Sequence, residues 1–299
     1  MHNRTALAAA LMLCSMGGAA QAQTSASTLD KVKAAGSITV AYREASIPFS
    51  YLADGTQPTG FGWEICGRIV DEVKKATGRA DIAVKPQAVT SQNRIPLLQN
   101  GTIDIECGST TNNAERARQV SFATNYFYTG TRFLVKTGSP VKGLADLKGR
   151  KVVSTTGTTN MLVMRKVSRD QNLDIDLLGA KDHGESALMV QSGRADAFAM
   201  DDILLYGIKA SAANPGEYAV VGEALQVEPY AIMLRKDDPA FKKLVDDTLA
   251  GLIKSGEFER LYARWFQSPI PPKGINLNVP MSRELQANLK ALSDKPASE

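Results

Sequence analysis

Strand-like and helix-like segments alternate along this chain in two successive rounds, and that order constrains the fold more than any single motif does. Residues 37–42 alternate as a strand, residues 63–77 carry Ile65, Ile69, Val70 and Val73 at helical spacing, and residues 82–89 return to strand character. A short helix over 94–99 and a buried strand over 103–106 complete an order of strand, helix, strand, helix, strand, which is the grammar of a parallel sheet. After Lys142 the grammar starts again, with strands at 151–154, 175–178 and 195–200. The first helix of this round is entered through Thr155-Thr156-Gly157-Thr158-Thr159-Asn160, and the next contains Leu188 and Val190. The second round repeats the order without the sequence. The reading is an α/β chain of two lobes, in which a ligand would lie beyond the carboxyl ends of the strands.

Residues 129–135 and 230–234 are strand-like and mark two crossings between the lobes. Lobe 1 is therefore discontinuous, built from 23–131 and 231–299, and lobe 2 spans 132–230. Amphipathic helices over 241–253 and 257–266, with Leu244, Leu249, Leu252, Leu261 and Trp265 as core, return to the first lobe. Ser268-Pro269-Ile270-Pro271-Pro272 ends the packed body, and residues 294–299 read as a frayed tail.

His2 and Arg4, an apolar run from Ala6 to Met16 and a small-residue end at Ala20-Gln21-Ala22 have the layout of a secretory signal peptide over residues 1–22. Bulky Leu13 before Cys14 argues against lipid attachment there. No later segment approaches the ~20 apolar residues of a spanning helix. The whole chain carries a formal charge of +4 and the part after the leader about +3, which suggests no nucleic-acid surface. Beyond the leader only Cys66 and Cys107 remain; an oxidising compartment permits one disulfide, and two buried thiols are the alternative.

Within a short span, Thr90-Ser91-Gln92-Asn93-Arg94 and Gly108-Ser109-Thr110-Thr111-Asn112-Asn113-Ala114-Glu115-Arg116 concentrate hydroxyls and two arginines. Arginine's planar fork matches a carboxylate in two parallel bonds, and hydroxyls complete its shell. Read alone, Arg94 and Arg116 would equally suit a solvated surface, and Thr159 an ordinary helix cap. Arg43 falls just past the end of the first strand, and His183 is the single histidine beyond the leader, which makes no metal site. Phe49 and Tyr51 are candidates to wall the cleft or to fill lobe core.

The runs from Thr90 to Thr102 and from Cys107 to Asn113, with Ala180-Lys181-Asp182-His183-Gly184 and Met200-Asp201-Asp202, resemble the periplasmic solute-binding proteins (type II) of polar amino acid ABC transporters, most closely the glutamate/aspartate-binding members. The resemblance covers residues 28 to about 278. It implies two lobes that close by a hinge on L-glutamate or L-aspartate, a monomer without cofactor, and delivery to an inner-membrane permease. It implies that Arg116 grips the α-carboxylate with Ser109, Thr111 and Thr159, that Asp201 meets the α-ammonium, and that Arg43, Ser91, Arg94 and His183 meet the side-chain carboxylate. Cysteine at position 66 departs from the family pattern and leaves any disulfide open.

Arg43, Arg94 and Arg116 against Asp201 give a site of about +2, which attracts an amino acid of net charge −1. A neutral amide opposite Arg43 and Arg94 would leave desolvated guanidiniums without an anion, a penalty of ~3–5 kcal/mol. The competing class is an enzyme on the same fold, a dehydratase or a hydrolase using Ser109, His183 and Asp201 as a triad; no nucleophile elbow or phosphate loop accompanies them. A receptor's sensor domain is a third reading, without a membrane segment through which to signal.

Overall fold

The computed structural model describes residues 27–297. The expected leader, 1–22, lies outside the described residues. Two five-stranded sheets form the lobes. In the first, the order is Ala83–Ala88, Ser37–Tyr42, Ile105–Glu106, Met233–Leu234, Ser121–Phe122, the first three parallel. In the second it is Asp176–Ala180, Lys151–Thr155, Ala197–Asp201, Thr131–Lys136, Tyr218–Val221, again with three parallel strands first. Each parallel set is extended by antiparallel strands that belong to the passage between lobes or follow it.

The passage itself is a two-stranded antiparallel ribbon, Phe127–Thr129 against Glu228–Tyr230. It meets the two segments expected to cross only at their first residues, Thr129 and Tyr230, because Thr131–Lys136 and Met233–Leu234 are already paired inside the lobe sheets. Helix Asp202–Ser211, helix Arg283–Ala291, and a small meander of Ala45–Ser46, Ser50–Leu52 and Pro58–Thr59 were not anticipated.

Helix Phe61–Thr77 buries Phe61, Ile65, Ile69 and Val73, the three- and four-residue spacing read from the sequence, and packs on helix Pro239–Lys254 through Val245, Leu249 and Leu252. Each such fully buried side chain contributes about 1.5–3 kcal/mol of transfer free energy. Gly62 lies so close to the Cys107 carbonyl that a Cβ would approach it to 2.5 Å, so only glycine lets the helix sit against that strand end. Beside it Cys66 and Cys107 form a disulfide with Cα atoms 5.9 Å apart. Of the two alternatives open in the sequence, the bridge is the one present.

Phe49 is fully buried among Phe127, Tyr230 and Phe266, with centroids 4.9, 5.1 and 5.6 Å away, and Tyr51 packs edge-on to Trp265 while donating to the Pro271 carbonyl. Both aromatics fill lobe core. The tail through Ala297 is not frayed: Ala297 N–H donates to the Asn112 carbonyl at 2.9 Å, and the side-chain amides of Asn112 and Asn125 donate to the carbonyls of Asp294 and Lys295. Its polar backbone makes these bonds without an apolar sequence signal, so composition alone pointed to a loose end.

Candidate functional site

Six strand ends converge between the lobes. Arg43 follows Ser37–Tyr42; Ser91 and Arg94 follow Ala83–Ala88; Ser109, Thr111 and Arg116 follow Ile105–Glu106. From the other lobe, Thr159 follows Lys151–Thr155, His183 follows Asp176–Ala180, and Asp201 ends its own strand. These are the carboxyl ends of parallel strands, where open α/β sheets bind ligands. All nine residues expected from the sequence are buried, none more than 8% exposed, which excludes the solvated-surface reading of Arg94 and Arg116.

The walls touch. Arg116 Nη2 donates to the Gly157 carbonyl at 3.1 Å and Nη1 to the Thr111 carbonyl at 3.0 Å. Gly157 has φ +81°, and a Cβ there would stand 2.7 Å from Gln92 Cα, so this backbone-to-backbone approach of one lobe to the other requires glycine. Thr111 Oγ1 and Thr159 Oγ1 lie 3.4 Å apart. Capping of helix Thr159–Asp170 falls to Thr158, whose hydroxyl accepts from Met161 N–H, and Thr159 is left to face the cleft.

Arg43 Nη2 donates to Ser91 Oγ at 2.8 Å and to His183 Nε2 at 3.2 Å. A guanidinium only donates, so Nε2 accepts and the ring proton sits on Nδ1, 2.8 Å from Thr155 Oγ1. His183 therefore orients Arg43 in this arrangement and does not donate into the cleft as expected. Burial, with Arg43 and Arg94 nearby, holds the imidazole well below its usual pKa, hence neutral. Burial also lowers Arg43 to about 9 and Arg116 to about 10, which leaves both protonated at neutral pH.

Three buried residues went unnoticed in the sequence. Glu106, fully buried, accepts from Thr110 Oγ1 at 2.6 Å, and Thr110 Oγ1 in turn accepts from Arg94 Nη1, an indirect counter-charge for the arginine. Glu228, 5% exposed, accepts from Thr111 Oγ1 at 2.8 Å and Thr159 Oγ1 at 2.7 Å. Tyr230 donates to Asp201 Oδ2, while Asn160 donates to Oδ1 at 2.8 Å. An acid inside the apolar run Ile103-Asp104-Ile105-Glu106-Cys107 was a usable signal for Glu106; Glu228, between Val227 and Pro229, offered none.

The two new carboxylates correct the charge estimate: Glu106, Asp201 and Glu228 balance Arg43, Arg94 and Arg116, so the cleft is near neutral and not +2. What it has instead is segregation. Arg43 Nη1 and Arg94 Nε are buried without a hydrogen-bond partner at one end. At the other, Asp201 and Glu228 lie close enough to repel, and neither makes a salt bridge among the described residues. Burial first, then Glu228, raises the Asp201 carboxyl to about 7. Unpartnered donors are costly when buried, as are carboxylates whose counter-charge, Arg116, acts on them without a direct ion pair, and a ligand carrying both signs satisfies both.

The triad is not assembled. Ser109 Oγ donates to Ser46 Oγ at 3.1 Å, His183 lies between Arg43 and Thr155, and Asp201 is held by Asn160 and Tyr230. No group of metal-ligating side chains occurs among the described residues. A surface groove of about 930 Å³ between helices Phe61–Thr77 and Pro239–Lys254 contains none of these residues and is walled by exposed charges such as Lys243 and Asp247.

Residues 38–268 match the model of the bacterial extracellular solute-binding proteins, family 3, and the chain belongs to that family. The glutamate/aspartate import solute-binding protein of Escherichia coli (strain K12) is 46% identical across 99% of this chain and 99% of its own. The L-glutamate/L-aspartate-binding protein of Pseudomonas aeruginosa is 47% identical across 91% of this chain and 90% of its own. Among solved structures, the P235GK mutant of ArgBP from T. maritima superposes with a TM-score of 0.71 at 26% identity, covering 80% of this chain and 99% of that one. These relatives are solute-binding proteins, and the two-lobed α/β fold is theirs.

Proposed function

We propose that this chain is the solute receptor of an ABC importer, that it binds L-glutamate and L-aspartate between its lobes, and that it hands them to an inner-membrane permease. The observation that carries the reading is the polarity of the cleft: unpartnered arginine nitrogens at one end and carboxylates without a direct ion pair at the other, on walls that belong to different lobes. The likeness to receptors named for glutamate and aspartate supports it.

Arg116 and Ser109 take the α-carboxylate, Asp201 takes the ammonium, and Arg43, Ser91 and Arg94 take the distal carboxylate with His183 holding Arg43 in place; Thr111 and Thr159 complete the seam. Arg43, Ser91, Arg94, Ser109, Thr111 and Arg116 lie on one wall and Thr159, His183 and Asp201 on the other, so neither lobe alone satisfies the ligand and closure is tied to its presence. Lobe 1, from 23–131 and 231–299, and lobe 2, from 132–230, then move about the 127–129 and 228–230 ribbon. Several charge-assisted bonds in a closed site support an affinity on the order of micromolar, roughly −8 kcal/mol, or tighter. Export after removal of residues 1–22 and action as a periplasmic monomer belong to the same proposal.

The test is native mass spectrometry of ligand-stripped protein in an equimolar mixture of amino acids. One bound glutamate or aspartate per chain, recovered unchanged after incubation, is the expected result. Conversion of the ligand would put the enzyme reading in its place.

A further inference from the structure

Asn112, Asn125 and Asn288 are buried, and all three direct their amide protons at the C-terminal segment or at one another. Asn112 Nδ2 donates to the Asp294 carbonyl at 2.8 Å and to Asn125 Oδ1 at 2.9 Å, and Asn125 Nδ2 donates to the Lys295 carbonyl at 2.8 Å. Asn288 Nδ2 donates to the carbonyls of Asn125 and Ser293 at 2.7 and 3.2 Å. The backbone closes the same contact, with Asn125 N–H on the Ser293 carbonyl at 3.0 Å and Ala297 N–H on the Asn112 carbonyl at 2.9 Å. Buried amides are tolerated only when their bonds are made, so residues 112, 125 and 293–297 form one unit. The tail in that unit lies past residue 268, where the family match ends.

What the unit holds is the loop that presents Arg116. Asn113 caps helix Ala114–Ala117, its side chain accepting from Arg116 N–H at 2.9 Å, and the Thr111 carbonyl accepts from Arg116 Nη1 at 3.0 Å. The arginine is thus fixed at its backbone and at its guanidinium by the two neighbours of Asn112. The crossing ribbon also grips the loop, through Asn112 N–H on the Pro229 carbonyl at 2.9 Å and Ala231 N–H on the Thr110 carbonyl at 3.1 Å, but the Asn112 carbonyl and side-chain amide face the tail and Asn125. We infer that residues 293–297 are a brace that positions Arg116: by fixing Asn112 they hold the loop so that the guanidinium stands ready for the α-carboxylate before the ligand arrives. This inference rests on the amino acid reading of the cleft. Because Arg116 meets the end that all amino acids share, the brace raises affinity and leaves ligand choice alone. A loop that is competent only about a tenth of the time without its brace has an apparent Kd about tenfold higher.

The tail reaches the loop through backbone groups, so the deciding substitution is one that removes an N–H. Ala297→Pro loses the donor to Asn112 and Ala297→Ser keeps it; both are compared with the wild type and with a deletion of residues 293–299, each first checked for a cooperative thermal transition. L-Glutamate is titrated calorimetrically into the ligand-stripped proteins, with Ala297→Pro made also in an Arg116→Ala background. The expected glutamate affinity is about tenfold weaker in the deletion, about threefold weaker in Ala297→Pro and unchanged in Ala297→Ser, while Ala297→Pro adds no loss to Arg116→Ala, because a brace for an absent arginine is idle. No loss in the deletion or in Ala297→Pro, an equal loss in Ala297→Ser, or equal losses from Ala297→Pro in the two backgrounds overturns the inference. Hydrogen exchange of the ligand-free proteins gives a reading that needs no ligand. The amides of residues 112–117 exchange faster in Ala297→Pro than in the wild type while those of helix Phe61–Thr77 keep their rate; a uniform change, or none at 112–117, overturns the inference. Wild-type protein that binds no glutamate overturns the functional reading itself, and the exchange rates still decide whether the tail braces the loop.

Discussion

Arg116 of the first lobe donates to the carbonyl of Gly157 in the second at 3.1 Å, across a seam where glycine alone permits the approach. In the proposed binding mode the same guanidinium meets the ligand's common end. Arg116→Ala removes both roles, and buried charge-assisted contacts of this kind are worth about 2–5 kcal/mol. Affinity for acidic and neutral amino acids alike falls by at least thirtyfold, measured by calorimetry.

Arg94 differs in that its Nε is buried without a hydrogen-bond partner while its Nη1 is engaged with Ser109 and Thr110, and the proposed binding mode gives it the distal carboxylate. Arg94→Ala weakens glutamate and aspartate by about 2–4 kcal/mol and narrows their advantage over glutamine and asparagine. An unchanged ratio of glutamate to glutamine affinity would remove Arg94 from the distal contact.

Asp201 gives the site a pH response. Its carboxyl is raised to about 7 by burial and by Glu228, against hydrogen bonds from Tyr230 and Asn160 that lower it and Asp202 that raises it slightly. A ligand ammonium favours the ionised form, so the bound-state pKa is lower than the free one and binding releases a proton. Affinity is accordingly full above about pH 7 and declines as pH falls below it, by up to tenfold per unit. Buffers of different ionisation enthalpy report the released proton directly, and no release near pH 6 would contradict the assignment.

The disulfide and the tail act on stability and not on ligand choice. Cys66 and Cys107 close a loop with a sequence separation of 41, and loop-closure entropy makes that worth about 4 kcal/mol. The double serine variant melts earlier by about 8–16 °C while still binding.

Deleting residues 293–299 leaves the buried amides of Asn112 and Asn125 without their backbone acceptors. At about 1 kcal/mol per lost hydrogen bond the melting temperature falls by about 5–10 °C. A truncated protein that melts with the full chain would show the tail to be idle.

The lobes, the parallel strands and the cleft were legible because apolar periodicity and chain order are local properties of the sequence, and strand ends are where such sheets bind. Hydroxyl-rich turns after those strands pointed to Ser91, Ser109 and Thr111. What escaped were features made by contact across the chain. Glu228 meets Thr111 at a separation of 117 residues and Thr159 at 69, and nothing near Glu228 announces either partner. The expected positive cleft was wrong for this reason: acids delivered from the crossing ribbon and a buried strand do not appear in a count of the motif. The role of His183 shifted likewise, since only the position of Arg43 tells which ring nitrogen must accept. Helix Arg283–Ala291 was missed although its signal was local: Ser282 caps it, and Leu285 and Leu289 stand one helical turn apart on its buried face.

The central claim is that segregated charges, in a cleft neutral overall, select an amino acid with a second carboxylate. Calorimetric titration of ligand-stripped protein with glutamate, aspartate, glutamine and asparagine at one pH and ionic strength tests it most directly. Micromolar or tighter binding of the two acids, with their amides at least a hundredfold weaker, is the predicted result. Equal or tighter binding of an amide would mean that Arg43 and Arg94 do not face a ligand carboxylate, and would contradict the account.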